Sequence, residues 1–245
     1  VRASVSYTLR AGQEIERLEA YDSASTLALN LAGNEFVQTI VGDAGANILN
    51  GGGGADTMSG LGGADTYIVD DSGDVCLEAA GGGLDAVRTS VTYALRAGQE
   101  IERLSAFDVA STNAMSLSGN AFAQTIVGND GADVINGGAG SDTLYGRGGV
   151  DRFVFNTALG ASNIDLIADF ARGSDLILLD DAVFTALTPG ALPANAFTAG
   201  AVDALDRIIY NPADGALLYD ADGSGSAYAA VRFATSPANT TAAAG

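Results

Sequence analysis

Asp56, Asp65 and Asp74 stand nine residues apart, and Asp133, Asp142 and Asp151 repeat that spacing further along the chain. Asn47 holds the same place one step before Asp56. Most of them occupy the sixth position of a nonapeptide that opens on glycine: Gly42 to Asn50, Gly51 to Ser59 and Gly60 to Ile68, then Gly128 to Asn136, Gly137 to Tyr145 and Gly146 to Val154. The register continues in weaker form, with Gln38 and Gln124 at position six upstream and Asp74 downstream. Carboxylates set among glycines, whose backbone carbonyls are unhindered, form an all-oxygen donor set. Such a set suits a hard divalent cation taking six to eight oxygens, and calcium fits it better than magnesium, which demands tight octahedral geometry.

Short elements must position these groups. Six Gly- and Asp-rich residues make a turn, because glycine reaches left-handed backbone angles at low cost and Asp bonds nearby backbone. Three residues then form a strand with one large apolar side chain at position eight: Ile40, Leu49, Met58, Tyr67 and Cys76, then Ile126, Ile135, Leu144 and Phe153. One inward residue per nine makes no core alone, but stacked units bury a continuous ladder. If turns alternate between the two sides of a flattened coil, residues 18 apart become neighbours. That pairs Asn47 with Asp65, Asp56 with Asp74, and Asp133 with Asp151. Continued, the count takes Asp151 to Asp169 and Asp142 to Gly160, where Asp165 would have to supply the carboxylate. The glycines expected to frame the sites are Gly51, Gly53, Gly60, Gly62, Gly137, Gly140, Gly146 and Gly148. Tyr145, Arg147 and Arg152 read as solvated or strand-face residues.

A longer period encloses the short one. Residues 1–69 align without gaps on 87–155, with 42 identities by direct count, and the decapeptide Leu9 to Leu18 recurs unchanged as Leu95 to Leu104. Val1 already falls inside the unit, which predicts a piece of a longer protein with further repeats or another domain upstream. The expected organisation is a first unit over 1–86 with its coil near 33–77, a second over 87–156 with its coil near 119–156, and a third region over 157–245.

Composition narrows the function. The 245 residues carry 30 acids and 11 bases, for a net charge of −19, and contain no His, Lys or Trp. Without His there is no imidazole zinc centre, Ser-His-Asp triad or His general base. The acidity repels nucleic-acid phosphates and anionic membranes. No apolar run reaches the length of a membrane span. A single cysteine, Cys76, cannot form an internal disulfide and reads as a small apolar member of the ladder. No catalytic residue is identified.

These nonapeptides resemble the RTX (repeats-in-toxin) family of secreted bacterial calcium-binding proteins. The resemblance implies an all-β fold: right-handed parallel β-roll blocks binding roughly four to seven Ca²⁺ ions between turns, with a strand-rich C-terminal capping domain. It further implies folding on calcium outside the cell, export through a type I secretion apparatus, and a secreted or cell-surface location. In the family the cation sits among backbone carbonyls and the position-six Asp of two turns. That role falls to Asp56, Asp65, Asp74, Asp133, Asp142 and Asp151, and to Asn47 as a weaker neutral ligand.

After Phe155 the register fades. Ile164 to Phe170 and Asp175 to Asp181 read as strands, Ala182 to Leu187 as a short helical turn, and Arg207 to Tyr210 with Ala216 to Tyr219 as a hairpin joined by a third strand, Ala229 to Ala234. This region resembles the C-terminal domain of serralysin-type secreted metalloproteases, which implies that it caps the roll and carries the export signal. Asp220 to Gly225 alternates carboxylates but has Val231 where an EF-hand needs Glu. The Ala- and Thr-rich tail from Pro237 to Gly245 is expected to be mobile. A zinc protease centre is excluded by the lack of His, so any catalytic domain would lie upstream. The alternative is a segment of a large adhesin, surface layer or filament, self-associating through its repeats.

Overall fold

The structure, a computed structural model, describes residues 1–200, 202–223 and 229–237. The chain winds as a flattened coil, laying one short strand alternately on each of two faces. One face is a long sheet of thirteen strands. The opposite face is divided into two five-stranded sheets, the first ending at Val75–Leu77 and the second starting at Tyr93–Ala94. All strand pairs within the coil are parallel. This is the parallel β-roll that the nonapeptides imply.

Turn chemistry explains the shape. In the unit opening on Gly51, the second and fourth residues, Gly52 and Gly54, have φ of 76° and 99°, where a side chain is strained. The chain reverses there, and Thr57–Ser59 then extends as the next strand. Leu61 and Arg147 hold the corresponding second position with φ of 80° and 75°. They are the two non-glycine residues at positive φ among those described, and each accepts backbone strain to keep the turn.

The apolar position makes the core. Ile40, Leu49, Met58, Tyr67, Ile126, Ile135, Leu144 and Phe153 are fully buried, and Cys76 nearly so. On the long sheet Leu31, Leu49, Tyr67, Val87, Leu104, Ile126, Leu144 and Ile167 stand in register, one per rung. Opposite them run Leu18, Ile40, Met58 and Cys76, then Leu117, Ile135, Phe153 and Ile177. Each fully buried rung contributes about 1.5–3 kcal/mol of apolar transfer. The segments outside the nonapeptides are rungs too. Arg17–Ala20, Asn30–Ala32, Ala86–Thr89 and Arg103–Ala106 join the same sheets, so the coil is continuous across residue 86.

Nine strands precede Ala86–Thr89, which is the 86-residue equivalent of the first strand. With two strands per turn, an odd number puts equivalent residues on opposite faces. Met58 lies on the first short sheet, whereas Leu144, 86 residues later, lies on the long one.

The far end is closed by a different pattern. Asp165–Ile167 and Leu176–Leu179 are the last rungs of the coil, each shorter than its sequence segment suggests. Val231–Thr235 pairs in parallel with the former and antiparallel with Ala216–Tyr219, which forms the expected hairpin with Ile208–Asn211. Phe155, Phe184, Phe233 and Tyr219 pack edge to face at 5.1–5.2 Å beneath this hairpin. Residues 182–187 form hydrogen-bonded turns, with the Phe184 N–H donating to the Asp180 carbonyl at 2.8 Å. The loop from Asp220 to Gly225 falls partly, and the tail beyond Pro237 wholly, outside the described residues.

Candidate metal centre

The position-six side chains sit on the two edges of the coil. Turns running from the short sheets to the long sheet form the first edge, and the return turns form the second. On the second edge the Gln38 N–H donates to Asp56 Oδ1 at 2.6 Å and the Asp56 N–H to Asp74 Oδ1 at 2.8 Å. Further along, Met115 donates to Asp133, Asp133 to Asp151 and Asp151 to Asp175, at 2.9–3.1 Å. On the first edge Asn47 donates to Asp65 and Asp65 to Asp85, at 2.7 and 2.8 Å. The Asp85 N–H then donates to Glu102 Oε2 at 2.6 Å. Gln124 to Asp142 and Asp142 to Asp165 continue it at 2.7 and 3.0 Å. Each carboxylate is thus held through one oxygen by the backbone of the preceding turn.

The second oxygen separates these residues into two groups. Asp56 Oδ2, Asp65 Oδ2, Asp142 Oδ2 and Asp151 Oδ2 are buried and have no hydrogen-bond partner. Each lies over the glycine that opens its own unit: a Cβ on Gly51, Gly60, Gly137 or Gly146 would collide with it. Those four glycines are therefore required by the carboxylate itself. Gly53, Gly62 and Gly148 are not so constrained, since a Cβ there meets nothing nearer than 3.5 Å. Gly140, with φ of 112°, serves the turn.

In the other group both oxygens or amide atoms are engaged. Asp133 accepts from Met115 and Asn129, and Asp74 from Asp56, Asp70 and Asp71. Asn47 pairs its side-chain amide with Asp43, leaving Asp43 Oδ2 as the unpartnered oxygen there. Asp165 accepts from Asp142, so it takes the place strict counting assigns to Gly160. Asp169 lies at the Asp151 turn, where its charge helps to raise Asp151, but it does not accept the Asp151 N–H. Its two oxygens accept from the Gly146 and Arg147 N–H groups at 2.9 Å, while Asp175 takes the Asp151 N–H. A six-residue lengthening of that turn, 24 residues per coil in place of 18, moves the partner from Asp169 to Asp175.

Electrostatics follow from burial. Removal from water, opposed by the backbone donor and reinforced by neighbouring carboxylates, pushes Asp56 up to about 7, with Asp74 contributing. Asp142 rises to about 7 for the same reason, with Asp165 beside it. Asp65, Asp151 and Asp165 rise to about 6. Desolvation likewise raises Asp74, Asp85 and Asp133. A cation delivered to these oxygens satisfies the unpartnered lone pairs and removes the repulsion together. The residues present fit that group.

A family model for the RTX calcium-binding nonapeptide repeat matches residues 33–67 and 118–153, in four copies. The chain carries RTX calcium-binding repeats. No curated protein is similar to the chain at a significant level. The RTX edges coincide with the unpartnered oxygens, since Asp56, Asp65, Asp142 and Asp151 all fall in the matched stretches. Sequence spacing overlooks Asp43, Glu78, Asp85 and Asp175. Asp43 sits at position two of its unit, and the other three follow turns whose length departs from nine. No helix among the described residues is long and apolar enough to cross a membrane.

Proposed function

We propose that the chain is a calcium-dependent folding module of a secreted protein, exported loose by a type I system and wound into its coil by calcium outside the cell. The observation that carries this is the set of four buried Asp oxygens left unpartnered over the unit-opening glycines. In calcium-poor surroundings their charges oppose stacking; at extracellular calcium they bind it. Asp56, Asp65, Asp142 and Asp151 would hold ions, with Asp74, Asp85, Asp165 and Asp175 as neighbours from the following turns. Extracellular calcium modules have Kd values of about 10⁻⁴–10⁻³ M. At millimolar calcium each such site adds roughly 0.4–1.4 kcal/mol, so four to seven ions supply a sizeable share of a domain's stability.

Residues 1–86 and 87–156 act as two repeat units, and 157–245 as a capping region resembling that of serralysin-type proteases and bearing the export signal. The coil itself carries no catalysis; a catalytic domain would lie upstream in the protein. A second reading, a segment of an adhesin, surface layer or filament that self-associates through repeats, is favoured by the uninterrupted long sheet across residue 86. Far-ultraviolet circular dichroism during a calcium titration tests the folding role. Sheet signal should grow with calcium and collapse with chelator; a full sheet signal in excess chelator would refute it.

A further inference from the structure

Three carboxylates converge where the two repeat units join. Asp65, Glu78 and Asp85 each place an oxygen within 4.8 Å of the others, the one such grouping among the described residues. Asp65 is 1 % exposed, Glu78 6 % and Asp85 2 %. One oxygen of each is already engaged: Asp65 Oδ1 by the Asn47 N–H, Asp85 Oδ1 by the Asp65 N–H, and Glu78 Oε1 by the Tyr67 hydroxyl. The remaining three, Asp65 Oδ2, Glu78 Oε2 and Asp85 Oδ2, are buried without a partner. Three carboxylates packed this closely in a water-poor space repel one another strongly unless a cation is shared among them.

We infer that Glu78 adds a third carboxylate to the Asp65–Asp85 pair, making there a site for a hard divalent cation of the calcium class unlike the other sites in composition. Two of its ligands come from the connecting loop, not from a nonapeptide. Three formal negative charges make it the tightest site in the chain, because ligand charge count sets calcium affinity in carboxylate sites. Its occurrence in one unit and not the other follows from sequence. Eighty-six residues after Tyr67 stands Phe153, fully buried and without a hydroxyl, and Asp151, the counterpart of Asp65, has Asp175 in the place of Asp85 but no third carboxylate grouped with them among the described residues.

The site also lies where it can hold the units together. The Glu78 N–H donates to Gln99 Oε1 at 2.6 Å, the Gly81 N–H to Glu100 Oε2 at 2.5 Å and the Asp85 N–H to Glu102 Oε2 at 2.6 Å. An ion bound to Glu78 and Asp85 fixes the loop that carries these three bonds to the second unit.

This site presupposes the calcium-binding role proposed above, and calorimetric calcium titration of the full chain separates the two. Glu78→Gln keeps the size of the side chain and an acceptor for Tyr67. It should weaken the tightest class of calcium site about tenfold or more. An unchanged tightest affinity would overturn the role of Glu78 while leaving the proposed calcium-binding role intact; a wild-type chain that takes up no calcium would overturn both. Should Glu78→Gln fail to fold, Tyr67→Phe retains all three carboxylates. Terbium titration excited through tyrosine should then lose the emission phase that saturates first, whereas retention of that phase would count against the site.

Discussion

The backbone N–H of Asp65 donates to Asp85 Oδ1 at 2.8 Å, across 20 residues and out of the nonapeptide block altogether. The acidic edge therefore does not stop where the nonapeptides stop. It passes through Asp85 to Glu102 in the second unit, so calcium chemistry on one block bears on the fold of the next.

Isosteric neutralisation should distinguish the two groups of carboxylates. Asp56→Asn removes a desolvated charge whose Oδ2 has no partner, so in chelator it should be neutral or stabilising, and it should abolish part of the calcium-induced stabilisation. Asp133→Asn replaces an acceptor of two N–H groups with an amide that can accept only through its oxygen, and should cost about 1–3 kcal/mol in chelator. Urea midpoints with and without calcium give both values.

Glycines at positions one and three should respond differently. Gly51→Ala drives a methyl into Asp56 Oδ2 and should cost about 1–3 kcal/mol and weaken calcium binding. At Gly53 the nearest atom to a new Cβ is 3.6 Å away, so Gly53→Ala should change stability by no more than about 0.5 kcal/mol. Thermal melts in saturating calcium compare them.

Truncating the ladder should be costly wherever it is done. Met58 is fully buried between Ile40 and Cys76, and Met58→Ala should destabilise the calcium-loaded chain by about 2–5 kcal/mol, measured by urea unfolding.

Acid should stabilise the calcium-free chain. Burial raises Asp56 and Asp142 to about 7 and Asp65, Asp151 and Asp165 to about 6, whereas an Asp in the unfolded chain titrates near 3.9. Between those limits the folded chain binds more protons than the unfolded one, so stability is fully present below about pH 4 and is lost as pH rises through 6 to 7. In chelator the urea midpoint should be higher at pH 5.5 than at pH 8. A midpoint that rose with pH would mean these carboxylates are not buried.

Much of this arrangement is written in the nine-residue period. Position eight predicts the ladder from Ile40 to Phe153 because each strand turns one side chain inward, and the 18-residue step predicts Asp56 beside Asp74 because two units close one turn. Where turns lengthen, the arithmetic fails for a physical reason. Extra residues loop outward while strand register is preserved, so Asp85, Asp165 and Asp175 reach their partners at 20, 23 and 24 residues. Glu78 carries no periodic signal, and only the fold of its loop brings it to Asp65. The exchange of faces between units needs a count of strands, nine per unit, which the strands outside the nonapeptides complete.

Whether calcium winds the coil is read from the dependence of unfolding free energy on calcium concentration. The slope against the logarithm of free calcium counts the ions taken up on folding. Four unpartnered position-six carboxylates predict a slope that climbs to about four ions or more as calcium saturates the folded chain. A slope of zero, with the chain equally stable in calcium and in chelator, would mean that calcium does not drive its folding.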